Sequence, residues 1–150
     1  MTPIIRMIAL GTVLFLGGCA SRSAFVGKWV GERKVDAVPG ADPIIVRQLS
    51  RIKLDIQENG KFTMEDAGMP KAGTFRVETS EKGFLKVESI LGRPLSEQPE
   101  MTQELHKGEI ELRANADGTL TYDDPAGFEH EPVIMRPQPQ PRAENSRKHE

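Results

Sequence analysis

Between Arg51 and Glu65 the chain reads Arg-Ile-Lys-Leu-Asp-Ile-Gln, then Glu-Asn-Gly, then Lys-Phe-Thr-Met-Glu, a polar and apolar alternation broken once. A period of two puts every apolar side chain of such a run on one face of an extended strand. A helix, repeating about every 3.6 residues, scatters the same residues around its axis. The Asn59-Gly60 pair supplies the backbone freedom of the favoured two-residue hairpin turn. The stretch predicts an antiparallel hairpin with one wet and one buried face, and the rest of the chain has to cover the buried one.

The same grammar recurs on both sides. Phe25, Gly27, Trp29 and Gly31 alternate with Val26, Lys28, Val30 and Glu32, predicting a first strand over 25–35 with the only tryptophan between two glycines. Residues 36–48, with Pro39, Gly40 and Pro43, predict a loop in which Ile44, Ile45 and Val46 form a helical turn or a strand-like lid. Residues 68–73, containing Pro70, read as a turn region, 75–78 as a strand, 81–83 as a turn and 85–88 as the answering strand. Residues 92–100 read as a longer loop, with 101–106 extended. A strand over 109–113, a turn at Ala116-Asp117-Gly118, a strand over 119–122 and a last strand over 128–136 complete the series.

About eight short strands joined mostly by tight turns, with no amphipathic helix of ordinary length, predict an all-β fold. Successive hairpins favour an up-and-down antiparallel meander, and closing it into a small barrel removes the exposed edges. The alternative is an open meander sheet or a sandwich of the same strands. The predicted inward set is Phe25, Trp29, Ile52, Leu54, Ile56, Phe62, Met64, Phe75, Val77, Leu85, Val87, Ile110, Leu112, Leu120, Tyr122 and Met135. A barrel of about eight strands is either just filled by its side chains or holds one small ligand. A chain this short needs the burial, about 1.5–3 kcal/mol per large apolar side chain, to offset ordering entropy, so a mostly filled interior is expected.

The amino terminus is of another kind. A head with one positive charge, Arg6, precedes an apolar run over 7–15 and two glycines. The run is shorter than the roughly 20 apolar residues of a spanning helix and matches a secretory signal peptide. Its end, Leu16-Gly17-Gly18-Cys19, resembles the lipobox of bacterial lipoproteins; the alternative is an ordinary signal peptide or short anchor with an incidental cysteine. The resemblance implies diacylglycerol on the Cys19 sulfur, cleavage after Gly18, acylation of the new amino terminus by a chain such as palmitate, and stable attachment, since several acyl chains hold where one does so only marginally. Ala20 and Ser21 stand where an aspartate would mark inner-membrane retention, so the resemblance to sorted lipoproteins favours the outer membrane, where the cell has one, facing the periplasm.

The resulting organisation is a signal peptide over 1–18, a lipidated tether over 19–24, a barrel domain over 25–136 and a disordered tail over 137–150 that opens Pro-Gln-Pro-Gln-Pro. Removing 18 of 150 residues leaves 132, enough for one domain, and takes Arg6 with it, moving the formal charge from −2 to −3. Cys19 is the only cysteine, so lipidation leaves no thiol for a disulfide, a metal or a nucleophile. Charges of both signs are interspersed, which argues against a nucleic-acid footprint.

Gly27-Lys28-Trp29 at the start of a meander is similar to the lipocalin and fatty-acid-binding-protein group. That group also places an arginine near the end of the last strand, packed across the tryptophan, and Arg136 stands where it would. The chain is shorter than a lipocalin, its strands are brief, and Thr121-Tyr122-Asp123 does not reproduce the second lipocalin motif. What the resemblance implies is a non-catalytic binding module for a small apolar or amphipathic ligand. The expected ligand-facing residues are Trp29, Ile44, Ile45, Phe62, Phe75 and Tyr122, at a mouth near the 39–46 lid. The alternative is an interaction protein that contacts another envelope protein through its loops, notably 92–107.

Catalytic chemistry finds little support. Ser21, Ser23 and Ser50 have no histidine partner at a recognisable spacing, and no glycine-rich phosphate loop precedes a helix. His106 lies in a polar segment, and Glu109 and Glu111 share the outward face of a strand. Asp123, Asp124, Glu129, His130 and Glu131 cluster in sequence, yet strand neighbours point to opposite faces and cannot converge on one cation. The expectation is no enzyme, no metal and no cofactor.

Overall fold

The computed structural model describes residues 22–35, 39–126 and 131–139. The expected signal peptide, Cys19, Ala20, Ser21, Phe128, Glu129, His130 and residues 140–150 of the tail lie outside them. The described chain forms strands β1 Gly27–Glu32, β2 Arg51–Ile56, β3 Lys61–Asp66, β4 Met69–Val77, β5 Lys82–Ile90, β6 Arg93–Pro94, β7 Ile110–Ala114, β8 Leu120–Asp123 and β9 Val133–Pro137. Helix α1 spans Pro43–Ser50 and α2 Glu100–Leu105, with 3-10 turns at Arg22–Ala24 and Leu95–Glu97.

Antiparallel neighbours run β1-β2-β3-β4-β5-β7-β8-β9, and β9 pairs back onto β1 through Trp29 with Pro137 and Val30 with Arg136. Eight strands thus close into an up-and-down barrel, with β6 appended to the end of β5. The expected barrel is present, and closure of β1 on β9 excludes the open sheet and the sandwich.

Turn chemistry departs from expectation in an instructive way. Asn59-Gly60 is not a two-residue turn: the Gly60 N–H donates to Gln57 and the Gln57 N–H to Lys61, with Gly60 alone at positive φ, +78°. This is a three-residue loop with a glycine bulge, and the Asn59 carboxamide oxygen accepts from the Lys61 N–H at 2.9 Å. Asn115 to Thr119 repeats it around Gly118. The tight two-residue turns are instead Ala67-Gly68, with φ of 53° and 80°, and Leu91-Gly92, with 54° and 74°. Both are type I′ by their signs, and both put a residue with a Cβ where asparagine or glycine is usual.

Other boundaries shift for local reasons. The first strand occupies Gly27–Glu32 rather than 25–35: Gly27 at φ +136° turns the chain so that Phe25 plugs the barrel end and its carbonyl accepts from Trp29 Nε1–H at 2.8 Å. The region 68–73 is mostly strand: β4 begins at Met69, and Pro70 precedes the β4–β5 ladder, which starts at Lys71 and Ile90. At a bulge beside Ala72, Gly73 brings β4 so close to β5 that a Cβ would sit 1.9 Å from the Lys86 carbonyl oxygen. Gly83 is strand rather than turn, the bend being at Ser80-Glu81, and a Cβ there would strike the Phe75 ring. Residues 44–46 are helical, within a helix that opens with Pro43 and the Asp42 cap and has no buried residue. Residues 101–106 are not extended, since α2 takes Glu100–Leu105, and the last strand starts at Val133.

The core is the alternation made three-dimensional. Every residue of the predicted inward set is buried except Val77, which is half-buried against it, and Ile90 and Val133 join. Phe25 and Phe75 pack with ring centroids 5.3 Å apart, tilted by 53°. The two ends differ. At one, the Arg22–Ala24 turn, Phe25 and the short β2–β3, β4–β5 and β7–β8 turns close the barrel. At the other, long connections carry α1, α2 and the 3-10 turn, and this is the open end.

Candidate functional site at the open end of the barrel

Three strands and a loop bring the charges of the open end together. Asp66 ends β3 with its side chain on the inward face, in register after Phe62 and Met64. Lys71 enters β4 after the Ala67-Gly68 turn, also inward, and Arg33 follows β1. One Asp66 carboxylate oxygen accepts from Lys71 Nζ at 2.9 Å and the other from the Arg33 guanidinium. The three side chains keep 10%, 7% and 15% of their surface, in that order. A buried carboxylate costs several kcal/mol in desolvation, which two charge-assisted bonds offset. Two cations on one anion leave the trio with an excess positive charge.

Tyr122, the only tyrosine, lies within the field of the same group. Burial pushes its hydroxyl well above the ordinary tyrosine range, and the carboxylates of Asp124 and Asp66 add to the rise while Arg33 opposes it. Its hydroxyl donates to Asp124 at 3.4 Å, and Asp124 also caps the following turn by accepting from the Ala126 N–H at 2.9 Å.

The same end of the barrel displays apolar side chains to water. Ile44 is 75% exposed, Leu91 61% and Met101 78%, and Ile45, Leu49, Met69 and Leu105 are exposed too. Gln48 of α1 lies against Gly68, so the helix leans on the β3–β4 turn, while the Ser50 carbonyl accepts from the Arg33 N–H at 2.8 Å and ties the helix end to β1.

The sequence-derived site residues divide. Ile44 and Ile45 stand at the open end, and Tyr122 belongs to the polar floor. Trp29, Phe62 and Phe75 are core, Trp29 and Phe75 both next to the Phe25 plug through a hydrogen bond and a ring contact. Gly27 and Trp29 have a structural role in the end plug. Arg136 does not share it: it lies outward on β9, exposed and opposite Val30, on the face away from Trp29. Asp66, Lys71 and Arg33 escaped the sequence reading. The available cue was the alternation itself, which continues from Phe62 and Met64 to Asp66, an acid at a core position.

Other candidates are structurally engaged. Glu109 is held below the usual carboxylate range by its two bonds from Arg76, at 3.0 and 2.6 Å, and Glu111 is lowered by Arg113 and Lys82. The His106 ring Nδ1 lies 3.0 Å from the Thr102 carbonyl of its own helix. Among the described residues no group of three or more His, Cys, Asp or Glu is placed to hold a metal ion. A wide, shallow hollow of about 460 Å³ is lined by Lys28, Asp55, Lys53 and Glu65, which pair with one another at 3.9 and 3.1 Å, and at one edge by Lys71 of the buried trio.

No protein-family model matches this chain, and comparison with curated proteins finds no match.

Proposed function

We propose that the chain is a lipid-anchored bacterial envelope lipoprotein with a lipocalin-like barrel, acting as a non-catalytic binder of a small amphipathic molecule at its open end. The observation that carries the reading is the inward, buried Arg33–Asp66–Lys71 trio at the same end of the barrel as the exposed apolar side chains. A cationic floor and an apolar rim complement a ligand with an anionic or strongly polar head and an apolar body. Asp66 takes one N–H from each cation, so ammonium and guanidinium donors remain to meet a head group. The filled interior keeps such a ligand shallow, with Ile44 and Ile45 against its body and Tyr122 near its head, and Trp29, Phe62 and Phe75 supporting the floor from below. The anchor rests on the Leu16-Gly17-Gly18-Cys19 resemblance, and Ala20 and Ser21 after the cysteine favour the outer membrane, where the cell has one, facing the periplasm. No metal, cofactor or nucleic acid enters the proposal.

The test uses an apolar anionic dye, anilinonaphthalene sulfonate, and a fluorescent long-chain fatty acid, with Trp29 as the internal reporter. Saturable one-to-one uptake is expected, weakened in Lys71→Met and Ile44→Asn variants whose circular dichroism is unchanged. Absence of saturable uptake by the folded protein, together with no co-purifying small molecule in native mass spectrometry, would overturn it. The second reading is an interaction protein docking through 92–107, favoured by the exposed Met101 and Leu105 of α2. It predicts that Met101→Lys leaves dye uptake intact and abolishes a specific crosslink made in cells.

A further inference from the structure

We infer that the barrel stands on its anchoring membrane with the closed end down, so that the open end faces away and takes its ligand from the aqueous compartment rather than sideways from the leaflet that holds the anchor. The inference rests on the lipid-anchor reading of Cys19 and adds an orientation to it.

The Arg22 guanidinium donates to the Glu58 carbonyl at 3.4 Å on the β2–β3 turn, and the Arg22 carbonyl accepts from the Phe25 and Val26 N–H groups at 2.9 and 3.0 Å. These bonds fix the start of the described chain to the closed end. Cys19 is three residues upstream, and three residues span at most about 11 Å. Strands β1 to β5, of six to nine residues, rising about 3.3 Å per residue and tilted about 40°, make that side of the barrel about 15–23 Å tall, with α1 beyond that height. A tether shorter than the barrel cannot hold Cys19 in a bilayer that the open end also touches from above.

The two ends also differ in surface chemistry. The closed-end turns at 57–60, 78–82 and 115–118 are built from Gln, Glu, Asn, Gly, Thr, Ser, Lys, Ala and Asp and expose no large apolar side chain. The exposed large apolar side chains of α1, α2 and the turns at Met69 and Leu91 are at the other end. Resting on head groups leaves the polar closed end hydrated and buries no charge; the apolar rim would gain from lipid contact, and the short tether keeps it out of reach. The apolar rim is left for a ligand that arrives through water.

The experiment keeps the full acylated protein, whose own cysteine is blocked by lipid, and adds one thiol at a time: Ser80→Cys or Ala116→Cys at the closed end, Gln48→Cys or Ser96→Cys at the open end. Each is labelled with bimane and incorporated in phosphatidylethanolamine–phosphatidylglycerol vesicles carrying a head-group nitroxide. Several-fold stronger quenching at Ser80 and Ala116 than at Gln48 and Ser96 is expected. Equal quenching at both ends, as for a barrel lying on its side, or stronger quenching at the open end, overturns the inference while leaving the anchor standing. An intact mass without acyl chains, with no quenching anywhere, removes the anchor reading and the inference with it.

Discussion

At the scale of single residues, the decisive one is Asp66, because it converts two buried cations from a liability into a fixed floor. Removing one partner of a buried ion pair leaves uncompensated charge, so Asp66→Asn should destabilise the barrel by about 3–5 kcal/mol, measured by urea unfolding followed through Trp29. An unchanged midpoint would mean that water reaches the trio. Tyr122 offers a second handle, since it is the only tyrosine and is buried. Its pKa is higher folded than unfolded, so its contribution to stability is fully present below about pH 10, the unfolded value, and is lost as pH rises through the folded value. Tyrosinate absorbance should therefore stay flat through pH 10 in the folded protein and rise only together with loss of the Trp29 signal. A smooth titration centred at 10 with the fold intact would contradict the buried hydroxyl.

At the scale of elements, the two type I′ turns carry the argument. Ala67 and Leu91 both sit in left-handed backbone, which costs a residue with a Cβ about 1–2 kcal/mol relative to the favoured region. Asparagine tolerates that conformation, so Ala67→Asn and Leu91→Asn should each raise stability by about 0.5–1 kcal/mol in chemical denaturation. The two should part company in function. Leu91 is strained and also 61% exposed at the mouth, a combination that folding alone does not favour. Under the proposed function, Leu91→Asn gains stability and loses dye uptake, while Ala67→Asn gains stability and keeps it. Equal uptake by the two would remove Leu91 from the rim.

At the scale of the whole molecule, the proposed function joins a closed barrel to an amino-terminal export signal. Under the proposed anchor, Cys19→Ser in the full chain should leave residues 1–18 attached and the amino terminus unacylated, read directly as intact mass. A processed, acylated product would refute the role given to Cys19. Much of the fold was legible in advance because alternation is a local property: Ile52, Leu54 and Ile56 share a face in any extended backbone, and that face has to be buried somewhere. The strands and the inward set follow from this. The turns were not legible in the same way. Asn59-Gly60 has the composition of a tight turn and adopts a bulged one, because loop length is set by the register that β2 and β3 reach when their apolar faces coincide. The site was least legible, since Arg33, Asp66 and Lys71 are ordinary surface residues in sequence, and their meeting depends on where β1, β3 and β4 end relative to one another. The sequence by itself determined extended segments with one apolar face and a short apolar run ahead of them, because side-chain period and apolar run length need no partner. Only the tertiary structure decided that β9 returns to β1, that one end is plugged and polar and the other open and apolar, and that three charges share its floor, because closure and register are set by contacts between residues far apart in the chain.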